Sequence, residues 1–158
     1  MRKNIKNLQG KRVLLRLDLN VPIKKGKVSK EGDERLKRSL PTIKYLLSKK
    51  ARVIIVAHLG RPEGKLVKSL SLQPVAKHLT KLLQKPIAFW SGRVDKYYQN
   101  SLKLKPGSVA MLENIRFEPR EKMNCRKLAK RLSKLADIYV NDAFGNIHRK
   151  DTSMLAIT

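Results

Sequence analysis

Four short apolar runs in this chain each end in a polar, charged motif. Val13-Leu14-Leu15-Arg16-Leu17 leads into Asp18-Leu19-Asn20-Val21-Pro22, and Val53-Ile54-Ile55-Val56-Ala57 leads into His58-Leu59-Gly60-Arg61-Pro62. Val109-Ala110-Met111-Leu112 leads into Glu113-Asn114-Ile115-Arg116-Phe117. Asp137-Ile138-Tyr139-Val140 leads into Asn141-Asp142-Ala143-Phe144-Gly145, with His148-Arg149 just beyond. Short runs rich in Val, Ile and Leu, bounded by turn residues, read as buried strands. The segments between them carry helical patterns, and alternating strands and helices call for an α/β fold. The expectation is a Rossmann-like, three-layer α/β/α domain with a mostly parallel sheet. In such sheets ligands bind outside the carboxyl ends of the strands. The motifs therefore read as one convergent site, whose Arg and His residues suit an anionic ligand.

The pattern between the runs predicts the remaining elements. Residues 21–28 read as a hairpin turning at Lys24-Lys25-Gly26. A helix is expected over 34–49, with Leu36, Leu40, Ile43, Leu46 and Leu47 on one face. Pro41 should kink or offset it. Residues 63–69 form a basic loop, and Ser71 is a candidate cap for a helix carrying Val75, Leu79, Leu82 and Leu83. Residues 87–90 are a short strand, 95–102 a short helix, and 121–136 a helix with Leu128, Leu132 and Leu135 inward.

A length of 158 residues is enough for one domain with a real core, and 41% hydrophobic content excludes compositional disorder. No apolar run approaches the ~20 residues that span a bilayer, and the basic start has no apolar stretch that would make it a secretory signal. The single Cys125 cannot form an internal disulfide and has no metal-ligand spacing around it; it reads as a surface thiol. A reducing cytoplasm is the expected location. The anomaly is charge: 37 Lys and Arg against 12 Asp and Glu, net +25. Such a field attracts polyanions at low salt, so non-specific nucleic-acid binding is one expectation. A lysine-rich solvated surface is the plainer one, since the cations are spread over every segment. An aromatic content of 5% argues against a stacking platform for single strands.

The motifs resemble those of the amino-terminal half of phosphoglycerate kinases: Asp18-Leu19-Asn20-Val21-Pro22, His58-Leu59-Gly60-Arg61-Pro62, Glu113-Asn114-Ile115-Arg116-Phe117 and Asn141-Asp142-Ala143-Phe144-Gly145 with His148-Arg149, in that order. Leu40-Pro41-Thr42-Ile43-Lys44-Tyr45-Leu46 and Lys105-Pro106-Gly107 also fit. The resemblance implies a domain, residues 1–158, that binds 3-phosphoglycerate for reversible phosphoryl transfer with ATP, giving 1,3-bisphosphoglycerate and ADP in glycolysis. It implies a catalytic arginine at Arg35, neutralising the transferring phosphoryl group and the acceptor carboxylate. By the same resemblance Asp18, Leu19 and Asn20 hold the hydroxyl and carboxylate end of the substrate. His58, Leu59, Gly60, Arg61, Arg116 and Arg149 hold its phosphate, with His148 as a ligand or a support for Arg149. Asn141 and Asp142 read as structural caps. No general base is required, because a carboxylate nucleophile is already ionised near neutral pH and phosphoryl transfer asks mainly for alignment and charge neutralisation.

Several positions depart from the family pattern. Leu19 stands where Phe is usual, Ala57 where Ser is usual, Asn146-Ile147 where Thr-Ala is common, and Lys150-Asp151 where Ala-His is common. Asp151 is expected to bring a negative charge near a phosphate site unless it pairs with Lys150 or Arg149. The resemblance also implies that Mg-ATP or Mg-ADP binds a second domain, supplied in cis or in trans. This chain has no glycine-rich nucleotide loop and no metal site of its own in its sequence. The chain is expected to be C-terminally incomplete and not to turn over substrate alone. The rival expectation is a non-enzymatic module binding RNA or DNA through its charge.

Overall fold

The structure, a computed structural model, describes residues 7–146 and 150–158. Five strands form one wholly parallel sheet: β1 (Arg12–Leu17), β4 (Arg52–Val56), β5 (Ile87–Trp90), β6 (Val109–Leu112) and β7 (Ile138–Asp142), in the order β5-β6-β4-β1-β7. The α/β expectation holds. Residues alternate between two faces along each strand. Val13, Leu15 and Leu17 of β1, with Val53 and Ile55 of β4, enter one core under helices α1 (Lys30–Ser48) and α2 (Gln73–Leu83). Leu14, Ile54, Val56 and Leu112 enter the other, under Val94, Tyr97 and helix α4 (Arg126–Ser133). Short helix α3 (Tyr98–Lys103) follows Tyr97. Both sheet faces are covered, as a parallel sheet requires.

The hairpin is present as β2 (Ile23–Lys24) and β3 (Lys27–Val28). Its turn residues Lys25 and Gly26 both have positive φ, the geometry of a type I′ turn. It packs on the first turn of α1, where a Cβ on Gly32 would lie 2.8 Å from Val28 and 2.9 Å from Val21.

Three expected boundaries are corrected. Helix α1 begins at Lys30 rather than 34, because Ser29 caps it: its hydroxyl accepts from the Gly32 N–H at 3.2 Å. The helix also runs through Pro41, an exposed position where water can take the carbonyl bond that the proline ring forgoes. The expected helix over 121–136 is broken. Glu121–Met123 is a 3-10 turn, Asn124 adopts a left-handed conformation at φ 47°, and α4 restarts at Arg126. The break turns Glu121 inward to bond Ser153. The expected helix over 95–102 is likewise a 3-10 turn, Val94–Lys96, followed by α3. Ser71 is close to its expected role: its hydroxyl accepts from the Gln73 N–H at 3.2 Å, one residue ahead of the cap position Leu72.

Candidate functional site

The carboxyl ends of the neighbouring strands β1 and β7 open onto a cavity of about 410 Å³, lined among others by Asp18, Arg35, Arg38, Ser39, Asp142 and Gly145. Asp18 leaves the end of β1. Arg35 reaches it from the second turn of α1, with Nη1 3.2 Å from Asp18 Oδ2. Both are partly exposed, so the pair stays open to a ligand rather than locked. Asp142, at the end of β7, accepts from the Thr42 hydroxyl of α1 at 2.6 Å. Asn141 accepts from the Ala143 N–H at 3.0 Å. The loop beyond β7 passes so close that a Cβ on Gly145 would meet Asp18 Oδ2 at 3.3 Å. Arg38 adds a second cation that sequence reasoning did not select; its spacing from Arg35, three residues along a helix, is the signal that could have found it.

The other motifs are sewn to one another. Asn114 Nδ2 donates to the carbonyls of Leu59 (2.7 Å) and Leu70 (2.9 Å). Its Oδ1 accepts from the amides of Leu59 (3.2 Å) and Arg116 (3.1 Å). Asn20 Oδ1 accepts from the Gly60 N–H at 2.9 Å, and Arg116 Nη1 donates to the Gly60 carbonyl at 2.7 Å. Gly60 sits at φ +61°, and a Cβ there would lie 2.7 Å from Leu70, so both its backbone angle and its surroundings select glycine. The loop that carries His58 to Arg61 is thus clamped by the loops after β1 and β6. Glu113 fixes the approach of α2, accepting from the Leu72 N–H (2.9 Å) and the Ser71 hydroxyl (2.8 Å).

Not every selected residue faces the cavity. Leu19 and Leu59 are core residues that do not line this cavity; the period-two alternation that turns Asp18 and Asn20 outward turns Leu19 in. Asn20 and Gly60 line a different hollow with Pro22 and Leu70, so Asp18 and Asn20 diverge rather than share one cavity. Arg61 is exposed and lines neither. His148 and Arg149 lie outside the described residues.

His58 and Arg116, expected as open cations, are buried at 1% and 4% exposure. They belong to a polar layer beneath the loops that sequence reasoning missed. Arg16, fully buried in β1, donates through Nε to the Ser153 hydroxyl (3.0 Å) and through Nη1 to the Leu17 carbonyl (2.5 Å). Its Nη2 lies 3.0 Å from His58 Nδ1. The Ser153 hydroxyl donates to Glu121 at 2.5 Å. Burial lowers the Arg16 pKa, while Glu121, Tyr139 and Asp151 hold it up. Burial pushes Glu121 up to about 7 against the pull of Ser153 and Arg16. Asp151, expected near the phosphate site, lies 3.5 Å from Arg116 in this buried layer. An arginine inside an otherwise apolar strand was the available signal for Arg16.

Comparison with known proteins identifies the architecture. The family model described as Phosphoglycerate kinase matches residues 3–158. The chain belongs to the phosphoglycerate kinase family. The phosphoglycerate kinase of Borreliella afzelii (strain PKo) is 43% identical over 157 residues, covering 99% of this chain and 39% of that protein. That of Legionella pneumophila (strain Lens) is 48% identical over 152 residues, covering 96% and 37%. The solved phosphoglycerate kinase of Coxiella burnetii superposes with a TM-score of 0.81 at 44% identity, over 93% of this chain and 36% of that one. The structure from Pyrococcus horikoshii OT3 gives 0.82 at 38% identity, over 95% and 38%. The chain thus spans about two fifths of the length of the phosphoglycerate kinases it matches. Among the described residues no helix is long and apolar enough to cross a membrane, and no three His, Cys, Asp or Glu side chains group as a metal site.

Proposed function

We propose that this chain is the 3-phosphoglycerate-binding domain of a phosphoglycerate kinase. The observation that carries the reading is the cavity at the ends of β1 and β7, where Asp18 and Arg35 stand 3.2 Å apart beside Arg38. Guanidinium groups offer planar paired donors matched to carboxylate and phosphate. An acidic residue beside them accepts from a hydroxyl. A hydroxy acid bearing a phosphate presents all three groups. In the whole enzyme the substrate carboxylate oxygen attacks the terminal phosphorus of ATP, the bond to the bridging oxygen breaks, and ADP leaves. This chain holds that carboxylate in line and offsets its charge, which is Arg35's role here. Arg61 and Arg149 serve the phosphate end, with His148 as ligand or support. His58 and Arg116 hold that end's loop in shape from beneath.

The sequence carries no glycine-rich phosphate cradle for Mg-ATP. In this reading the nucleotide belongs to a second half, in cis or in trans. Turnover by the 158 residues alone is not expected, and location in the cytoplasm follows from the reading as glycolytic. NMR titration with 3-phosphoglycerate at near-physiological salt tests it. Saturable shifts in the chain that Arg35→Ala abolishes support the reading; shifts that are equal in both proteins and vanish with salt overturn it.

A second reading, a module that binds RNA or DNA, draws on the α4 surface. Arg120, Lys122, Arg126, Lys127, Lys130, Arg131 and Lys134 are all exposed, and the one acid among them, Glu121, is buried. Such a run of exposed cations on one stretch suits a phosphate backbone. Binding to duplex RNA whose affinity falls steeply with salt and is lost on reversing charges at Lys127 and Lys130 would favour it.

A further inference from the structure

The buried layer beneath the candidate site has a consequence for His58. An arginine side chain carries only donors and stays protonated in proteins. The 3.0 Å contact between Arg16 Nη2 and His58 Nδ1 therefore requires Nδ1 to accept. A ring that accepts at Nδ1 is neutral, and its one proton sits on Nε2. We infer that Arg16 is a positioning residue that locks His58 as the neutral Nε2–H tautomer.

The rest of the layer holds Arg16 in place. Among the described residues it also contains Arg116 and two buried acids, Glu121 and Asp151, the latter 3.5 Å from Arg116. Glu121 is reached from Arg16 through the Ser153 hydroxyl, which accepts from Nε at 3.0 Å and donates onward at 2.5 Å. The Ser153 carbonyl is itself held by the Tyr139 hydroxyl at 2.6 Å. Arg16 also has no alternative orientation: the Leu17 carbonyl takes Nη1, so the fork is fixed on both sides of the ring contact. Through Ser153 it ties the ring to residues 151–154 as well.

The sequence suggested a histidine acting with arginines as part of a cationic set. The structure gives His58 a different role, in which Nε2 presents a fixed N–H donor rather than a lone pair or a mobile charge. The use of that donor rests on the proposed reading as an anion-binding domain; the tautomer does not. Arg16 does not itself line the cavity, and it reaches the loop that follows β4 through His58.

The test is long-range proton–nitrogen correlation on the whole chain labelled with 15N-histidine, at neutral pH and without ligand. The three histidines are told apart with a His58→Gln variant. The expected His58 spectrum has a bare Nδ1 and a protonated Nε2. A protonated Nδ1, in either the other neutral tautomer or the cation, overturns the inference without any Arg16 variant. In Arg16→Met, the single tautomer should give way to a mixture, and 3-phosphoglycerate should bind about tenfold more weakly, the loss of one aligned polar contact. A folded Arg16→Met protein that keeps a pure Nε2–H ring also overturns it. A purely structural role would lower the melting temperature and leave the tautomer in place. If the tautomer is as expected but 3-phosphoglycerate never binds, the functional reading fails and the assignment to Arg16 stands.

Discussion

Glu121 shows how a single side chain in this fold can set a solution property. It is 1% exposed, accepts from the Ser153 hydroxyl and amide, and is pushed by burial up to about 7. Its folded pKa lies above the unfolded value near ~4.3, so between those values the folded chain binds the proton more tightly. Stability contributed by Glu121 is thus fully present below the unfolded pKa and lost as pH rises through about 7. Urea unfolding from about pH 5 to about pH 8 should show wild-type stability falling by about 2–3 kcal/mol across that window, and Glu121→Gln should flatten the slope. An unchanged slope in the variant would mean that Glu121 does not titrate there. At this scale the sequence was half legible. Asp18 and Arg35 could be placed together because the family resemblance assigned both to one site, and they stand 3.2 Å apart. Leu19, Leu59, His58 and Arg116 could not be sorted from them, because a motif gives residue type and spacing but not which side of the loop faces the interior. Glu121 was invisible as a buried acid, since at helical spacing it looks like any exposed glutamate.

Elements were legible where their periodicity was long and failed where a tertiary contact cut them. All five sheet strands follow from apolar runs with sharp polar ends, and α1 and α2 from their buried faces. The split ahead of α4 has no local signal, because its cause sits far along the sequence, at Thr152. Thr152, fully buried, donates its hydroxyl to the Arg120 carbonyl at 2.9 Å and accepts from the Cys125 amide at 2.9 Å. Its own amide donates to the Glu121 carbonyl at 2.6 Å. One side chain therefore closes both sides of the break and serves the first turn of α4, which has no side-chain cap from Cys125. Thr152→Val keeps the shape and removes both hydroxyl bonds, leaving a partly buried amide and carbonyl without those partners. The expected cost is about 1–2 kcal/mol, with hydrogen exchange at the Cys125 amide accelerated well beyond that of α1. Equal exchange at that amide in the two proteins would show that α4 is capped in some other way.

At the scale of the molecule, total charge was readable and its distribution was not. Helix α1 carries Glu31, Asp33 and Glu34 in its first turns, and Lys37 reaches both Asp33 and Glu34 at 2.8 Å. Asp33 also meets His78 of α2 at 2.6 Å, joining the two helices on that side of the sheet. The Lys37 and His78 bonds hold its pKa below the ordinary carboxylate range. Among the described residues, the ion pairs on the α4 side are Arg131 with Asp95 at 2.9 Å, Arg93 with Glu118 at 3.7 Å and Arg12 with Asp137 at 2.7 Å, and none of them involves Lys127 or Lys130. Within a net charge of +25, the α4 stretch is thus a locally cationic surface, and repulsion there acts on the compact state more than on the expanded one. Salt screens exposed charges over a distance that shrinks from about 30 Å at 0.01 M to about 8 Å at 0.15 M. Raising sodium chloride from about 0.01 M to about 0.3 M should accordingly raise the melting temperature by several degrees, a gain of about 1 kcal/mol or more. Replacing Lys127 and Lys130 by glutamine should remove part of that salt response, whereas the same change at Lys37 should not, since Lys37 already faces carboxylates. A melting temperature that is flat or falls with salt would show that the paired α1–α2 side dominates the electrostatics, and that the α4 cations are too well solvated to destabilise the fold.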